Sequence, residues 1–176
     1  FDLLLTPTDI SRRLIRDDVL EPLDSGLVEG LAELPASLRL APWNSLDGVP
    51  FGVPLQWGPV GLLTVDAAFE APPRTWRVLY EPSALAEGGT SSGRVQAYEG
   101  PISLAVTALT AAAHDPALEV PDPYALDKPT MQVVLHALRR QLEVVDRYWQ
   151  DPEQLAADFL AGRTLASSAW YRTAEL

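Results

Sequence analysis

The chain opens on an apolar block, Phe1-Asp2-Leu3-Leu4-Leu5, which predicts a short buried strand over residues 1–5. The polar break Thr6-Pro7-Thr8-Asp9 follows, with Pro7 favouring a turn and Thr8 or Asp9 placed to cap a helix over about 9–17. Ile10, Leu14 and Ile15 are the inner face expected of that helix. Strand, polar loop and helix N-terminus in succession is an α/β pattern, and such loops collect ligands at the C-terminal ends of strands. Residues 18–48 carry no sustained period, and Asn44 to Gly48 reads as a surface turn. Residues 49–58 are interrupted by proline and glycine and predict no more than a short or edge strand. Residues 60–65 form a better strand candidate.

Beyond Ala71-Pro72-Pro73-Arg74, a turn or linker, Trp76 to Tyr80 reads as a short helix or extended stretch ended by Pro82. Residues 86–93 are the most linker-like segment, and Gly88 to Gly93 within it reads as a mobile surface loop. Arg94 to Tyr98 alternates as a strand, and Pro101 opens an alanine- and leucine-rich helix running to about Ala113. After a proline-rich loop, Met131, Val134, Leu135, Leu138, Leu142 and Val145 share a 3.6-residue period, which predicts one long helix over about 129–148. Asp151-Pro152-Glu153 opens another helix, stopped at Gly162, and Thr164 to Ala169 reads as a strand. The result is about five short strands and five or six helices, with no internal repeat.

Composition narrows the chemistry. The 176 residues suffice for one domain or two small ones. Thirteen basic against twenty-four acidic residues leave a net charge of −11, which argues against a phosphate-backbone partner, so no nucleic acid is expected. The absence of cysteine excludes disulfides, thiolate zinc sites and a cysteine nucleophile. No apolar run is long enough to span a bilayer, and no signal peptide is recognised; the first residue is Phe, and the chain reads as a piece of something longer. His114, at a predicted helix end, and His136, beside the apolar stripe, have no partner histidine, so no metal is expected. The glycine-rich Gly88 to Gly93 segment lacks the lysine of a phosphate loop, and no serine sits in a nucleophile elbow. The expectation is no enzyme, no catalytic residue and no cofactor.

The aromatic residues carry more information. Trp57, Tyr98 and Trp170 each stand at or beside the predicted end of a short strand among polar or small residues. Rings so placed can line a cleft and bind cations, sugars or apolar bodies, or can simply pack under loops. Tyr148-Trp149, at a predicted helix end, reads as packing.

Several segments together resemble the periplasmic spermidine/putrescine-binding proteins of ABC importers. Residues 1–8 are similar to that family's YDVVVPS strand and loop, and Leu20-Glu21-Pro22-Leu23-Asp24 to the stretch that follows. Val53 to Leu62 resembles the VPYxWGTxGI segment where the chain crosses between lobes. Trp76 to Pro82 resembles the opening of the second lobe, and Gly162 to Trp170 the segment GEvxlgxxW. The resemblance implies a type II periplasmic-binding-protein-like α/β fold with three-layer α/β/α lobes, here as an incomplete chain. Residues 1–58 would be part of the first lobe, 59–65 the hinge crossing and 66–176 most of the second lobe.

That resemblance implies a solute-binding component, periplasmic or membrane-anchored outside the cell, that captures a polyamine or similar small organic solute and delivers it to a permease. Unpaired strand edges would also permit self-association. The alternatives are a non-transport α/β interaction domain or a hydrolase. Carried over residue by residue, Thr8 matches a ligand-contacting loop serine, with Asp9 beside it, whereas Ile10 replaces a tyrosine. Trp170 matches the tryptophan that ends a second-lobe strand. The family's two second-lobe acids fall near Gly100 and Ser103, neither acidic, with Glu99 one position away. The ligand-binding candidates are therefore Thr8, Asp9, Trp57, Tyr98, Glu99, Ser103 and Trp170.

Overall fold

The computed structural model describes residues 3–170, apart from the side chain of Asp9. Two compact units divide between Trp57 and Gly58.

In the first unit, helix α1 (Thr8–Arg16) is followed by a 3-10 turn at Leu31–Glu33, the short α2 (Ala36–Arg39), and a minimal hairpin of β1 (Ser45–Leu46) and β2 (Val49–Pro50). Asp47 and Gly48 turn this hairpin with φ of 51° and 79°, the left-handed pair that a two-residue hairpin loop needs. The Ser11 hydroxyl donates to the Trp43 carbonyl at 2.7 Å and ties α1 to the hairpin loop. Ile15, Leu31 and Ala41 are the unit's buried apolar residues.

Three expectations fail here. Leu3 to Leu5 form no strand; Leu3 is 92% exposed, and no backbone segment pairs with these residues among those described. Phe1 and Asp2 lie outside the described residues. A strand needs a neighbour for its N–H and C=O groups, and hydrophobicity alone does not provide one. Pro7, rather than Thr8 or Asp9, is the N-cap residue of α1, and it makes no side-chain capping hydrogen bond. Ile10, assigned to the inner face, is 46% exposed, whereas Ile15 is buried.

The second unit is built on a four-stranded mixed sheet of order β3-β6-β4-β5, formed by β3 (Val60–Thr64), β4 (Val95–Tyr98), β5 (Val145–Trp149) and β6 (Ala166–Trp170). The strands β4, β5 and β6 run parallel, and β3 pairs antiparallel with β6 from Val60↔Trp170 to Thr64↔Ala166. Helices α3 (Ile102–His114) and α4 (Lys128–Gln141) cross from β4 to β5, and α5 (Pro152–Leu160) returns past β4 to β6. Crossovers of one hand running in opposite directions cover opposite faces of a sheet. Side chains agree with that rule. Val95 and Ala166 point into the core of Phe69, Val78, Leu79, Tyr80, Leu85, Val144 and Leu165. On the other face, Trp149 and Ala169 pack with Leu155 and Phe159 of α5.

The expected single helix over 129–148 is two elements. α4 stops at Gln141, a turn follows, and Val145 to Trp149 is the edge strand β5. Leu142 continues the helical period in sequence yet is 64% exposed. The β-branched and aromatic residues Val145, Tyr148 and Trp149 gain more by pairing with β4 than by extending the helix. The stripe actually buried on α4 is Thr130, Val134 and Gln141. Residues 86–93 form a surface loop, as expected, with Ser91 as its buried residue. Gly88, Gly89 and Gly93 take positive φ, Ser91 is fully buried, and its hydroxyl accepts from the Ser83 N–H at 3.0 Å. The Gly93 N–H donates to Val144 O, so the segment is pinned to the turn between α4 and β5. Glycine here provides tight turns that hydrogen bonds then fix.

Candidate functional site

Three rings meet at one edge of the second unit. Tyr98 and Trp149 are the last residues of β4 and β5, and Trp170 is the last described residue of β6. Because the three strands are parallel, their C-terminal ends share one edge of the sheet, where α/β proteins gather ligands. The Tyr98 ring lies 4.9 Å from Trp149 and 5.3 Å from Trp170 between centroids, tilted at 59° and 71°. These are the edge-to-face arrangements that aromatic quadrupoles favour.

The three rings differ in exposure, and the hydrogen bonds account for the difference. Trp149 is buried, and its indole N–H donates to Ser168 O at 2.9 Å and to Ser167 Oγ at 3.1 Å. It is the floor of the cluster. Tyr98 and Trp170 are half-buried, and neither the phenol O–H nor the indole N–H has a hydrogen-bond partner among the described residues. Trp149 therefore packs, as read from its sequence, but in a strand and directly beneath the candidate rings.

Gly100 explains how Tyr98 keeps its position. A Cβ at residue 100 would stand 2.5 Å from Tyr98 Cε1 and 3.1 Å from Cζ, so the ring occupies the space a side chain would need. The strand-to-helix junction is further held by Ser103, whose hydroxyl donates to the Tyr98 carbonyl at 2.6 Å. Thr107 Oγ1 donates to Ser103 O at 2.7 Å and lies 2.9 Å from the Tyr80 hydroxyl. With its own proton committed, Thr107 accepts, and Tyr80 is the donor. Burial pushes the Tyr80 pKa up, which keeps the phenol protonated for this role. Beneath Ser103 and Thr107 lies a cavity of about 20 Å³, water-sized, bordered also by Tyr80 and Gln141.

Behind the rim, toward α5, stands a buried carboxylate. Asp158 is fully buried and accepts from Gln96 Nε2 at 2.7 Å, Gln154 at 3.0 Å and the Arg163 guanidinium at 2.7 and 2.9 Å, while Arg147 pairs with it at 3.3 Å. The Gln96 bond first, then the guanidinium of Arg163, hold its carboxyl below the ordinary 3.8 against the opposing effect of burial. This network joins β4 and β5 to α5 and leaves the carboxylate fully engaged. It was not singled out from sequence, because its members are scattered from residue 96 to residue 163.

Of the seven candidate residues, Tyr98, Ser103 and Trp170 come together at this edge. Glu99 is exposed beside them, its backbone N–H donating to Trp149 O. Ser103 serves the backbone rather than an open surface. Thr8, at the start of α1, and Trp57, 59% exposed, belong to the first unit. The side chain of Asp9 lies outside the described residues. Among the described residues no group of acidic or histidine side chains could hold a metal ion, and no helix is long and apolar enough to cross a membrane.

No family model matches the chain. Its backbone is similar to the spermidine/putrescine ABC transporter substrate-binding protein PotD of Streptococcus pneumoniae, with a TM-score of 0.63 and 12% identity over 95% of this chain and 46% of that one. It is also similar to an ABC transporter protein of Clostridium perfringens, with a TM-score of 0.56 and 14% identity over 92% of this chain and 45% of that one. The chain thus spans a little under half the length of these neighbours. Likeness at such identity concerns the fold: the chain has the α/β architecture of type II periplasmic-binding-protein-like structures.

Proposed function

We propose that the chain is part of the extracytoplasmic solute-binding component of an ABC importer, taking up a polyamine or similar small organic solute and presenting it to a membrane permease. The observation that carries this reading is the half-open pair Tyr98 and Trp170 at the C-terminal edge of three parallel strands. Rings in that position offer faces to the C–H surface of a solute, and capture by burial requires neither nucleophile nor metal. The fold shared with two ABC transporter proteins supports the same reading. On it, residues 1–58 belong to a first lobe, 59–65 to the crossing and 66–176 to the second lobe. Thr8, Asp9 and Trp57 would be first-lobe contributors; Tyr98, Glu99 and Trp170 would be those of the second, with Ser103 holding the Tyr98 backbone in place.

A thermal-shift screen tests this with polyamines, amino acids, sugars, polyols and small anions. A solute that binds the native state raises Tm, by an amount that grows with its concentration over Kd. A concentration-dependent rise with one chemical class is expected. No rise with any class, or turnover of a compound in the panel, would overturn the transport reading.

A further inference from the structure

We propose that the ring edge of the second unit is built for an uncharged, oxygen-bearing solute of the sugar or polyol class, rather than for a polyamine. This rests on the solute-capture reading and narrows it.

The argument starts from what the edge offers. An ammonium group brings only donors and needs acceptors, preferably carboxylates, when it leaves water. Gly100 holds no acid, and the Tyr98 ring fills the room one would need. Ser103 holds none either, and its hydroxyl is committed to the Tyr98 carbonyl. Asp151, two residues beyond Trp149, gives one carboxylate oxygen to the Glu153 N–H at the start of α5 and is otherwise exposed to water. Asp158 is enclosed by four side chains. Among the described residues Glu99 and Asp151 are left, both exposed to water, and solvated carboxylates are a weak replacement for facing acids.

The groups without partners among the described residues point the other way. The Trp170 indole N–H can only donate, and the Tyr98 O–H is free to donate. Both therefore suit hydroxyl or ether oxygens of a ligand, whose C–H faces can lie against the same rings. An anion would also accept from them. However, among the described residues the strand ends bring no guanidinium or ammonium: Arg147, the nearest in sequence to Trp149, is paired with Asp158. The chain's charge of −11 also repels anions.

The test is isothermal titration of the protein with matched probes: spermidine and putrescine as cations, adipate as an anion, and glucose, myo-inositol and xylitol as neutral solutes. Binding of a neutral probe at least tenfold tighter than of either polyamine or adipate is expected. Trp170→Phe, which keeps a ring face and removes the donor, should weaken the neutral probe about fivefold while leaving the unfolding midpoint within error. Tighter binding of a polyamine or of adipate overturns the inference and leaves solute capture standing. No binding of any probe overturns the inference together with solute capture. Unchanged affinity in Trp170→Phe removes the donor argument, and with it the inference.

Discussion

Replacing Gly100 by Ala places a methyl group where the Tyr98 ring now lies. The new Cβ would sit 2.5, 3.1 and 3.3 Å from Cε1, Cζ and Cδ1, well inside van der Waals contact, so the ring must leave. It cannot move sideways cheaply, because Trp149 and Trp170 flank it at 4.9 and 5.3 Å. Losing two edge-to-face contacts costs about 1–3 kcal/mol at roughly 0.5–1.5 kcal/mol each. Removing a glycine from the unfolded chain returns about 0.4–1 kcal/mol, since residue 100 is not in the left-handed region. The net is a destabilisation of about 0–2.6 kcal/mol, together with a displaced ring. Urea unfolding monitored by tryptophan fluorescence measures it, and near-ultraviolet circular dichroism reports the ring geometry. Gly61→Ala is the control: a Cβ there meets nothing within 4 Å, and stability should hold or rise slightly. If Gly100→Ala matches that control with an unchanged aromatic spectrum, the ring does not lie over Gly100 and the account of this edge is wrong.

Other outcomes follow from the same structure. Asp158→Asn should cost about 2–4 kcal/mol, because it removes the charge that Arg163 and Arg147 share while leaving the site buried; urea midpoints measure this. The depressed pKa of Asp158 stabilises the fold above its ordinary 3.8, and that contribution is lost as pH falls through the lower folded value. The acid limb of the stability–pH curve should therefore be shallower in Asp158→Asn than in the wild type. Leu155→Ala, at a fully buried position beneath Trp149, should cost about 2.5–5 kcal/mol by chemical denaturation. Trp149→Phe removes the donor to Ser168 O and part of the floor; a loss of about 1–3 kcal/mol by the same assay is expected.

The second unit was far more legible in the sequence than the first. Residues 60–65 and 94–98 read as strands from their apolar pattern, and the helix from Pro101 to about Ala113 reads from its opening proline and its alanine and leucine content. The sequence from Met131 to Val145 misled for a physical reason: helical and strand periods both fit an apolar stretch across a turn, and pairing with β4 decides between them. Leu3 to Leu5 misled because apolar content does not reveal whether a strand has a neighbour. At the ring edge, Tyr98 and Trp170 were read from their place at strand ends. The role of Gly100 was hidden, since only coordinates show a ring standing over a missing Cβ. The Asp158 network was hidden too, since its partners lie up to 62 residues away in the chain.

The central claim is that the open rings at the ends of β4 and β6 touch a solute. Titration of Trp170→Ala against whichever solute raises Tm in the wild-type protein tests it most directly. A stacking ring contributes about 1 kcal/mol or more, so affinity should fall about fivefold or further while the variant keeps a cooperative unfolding transition. Wild-type affinity in that variant would mean that Trp170 packs and does not bind, and would contradict the claim.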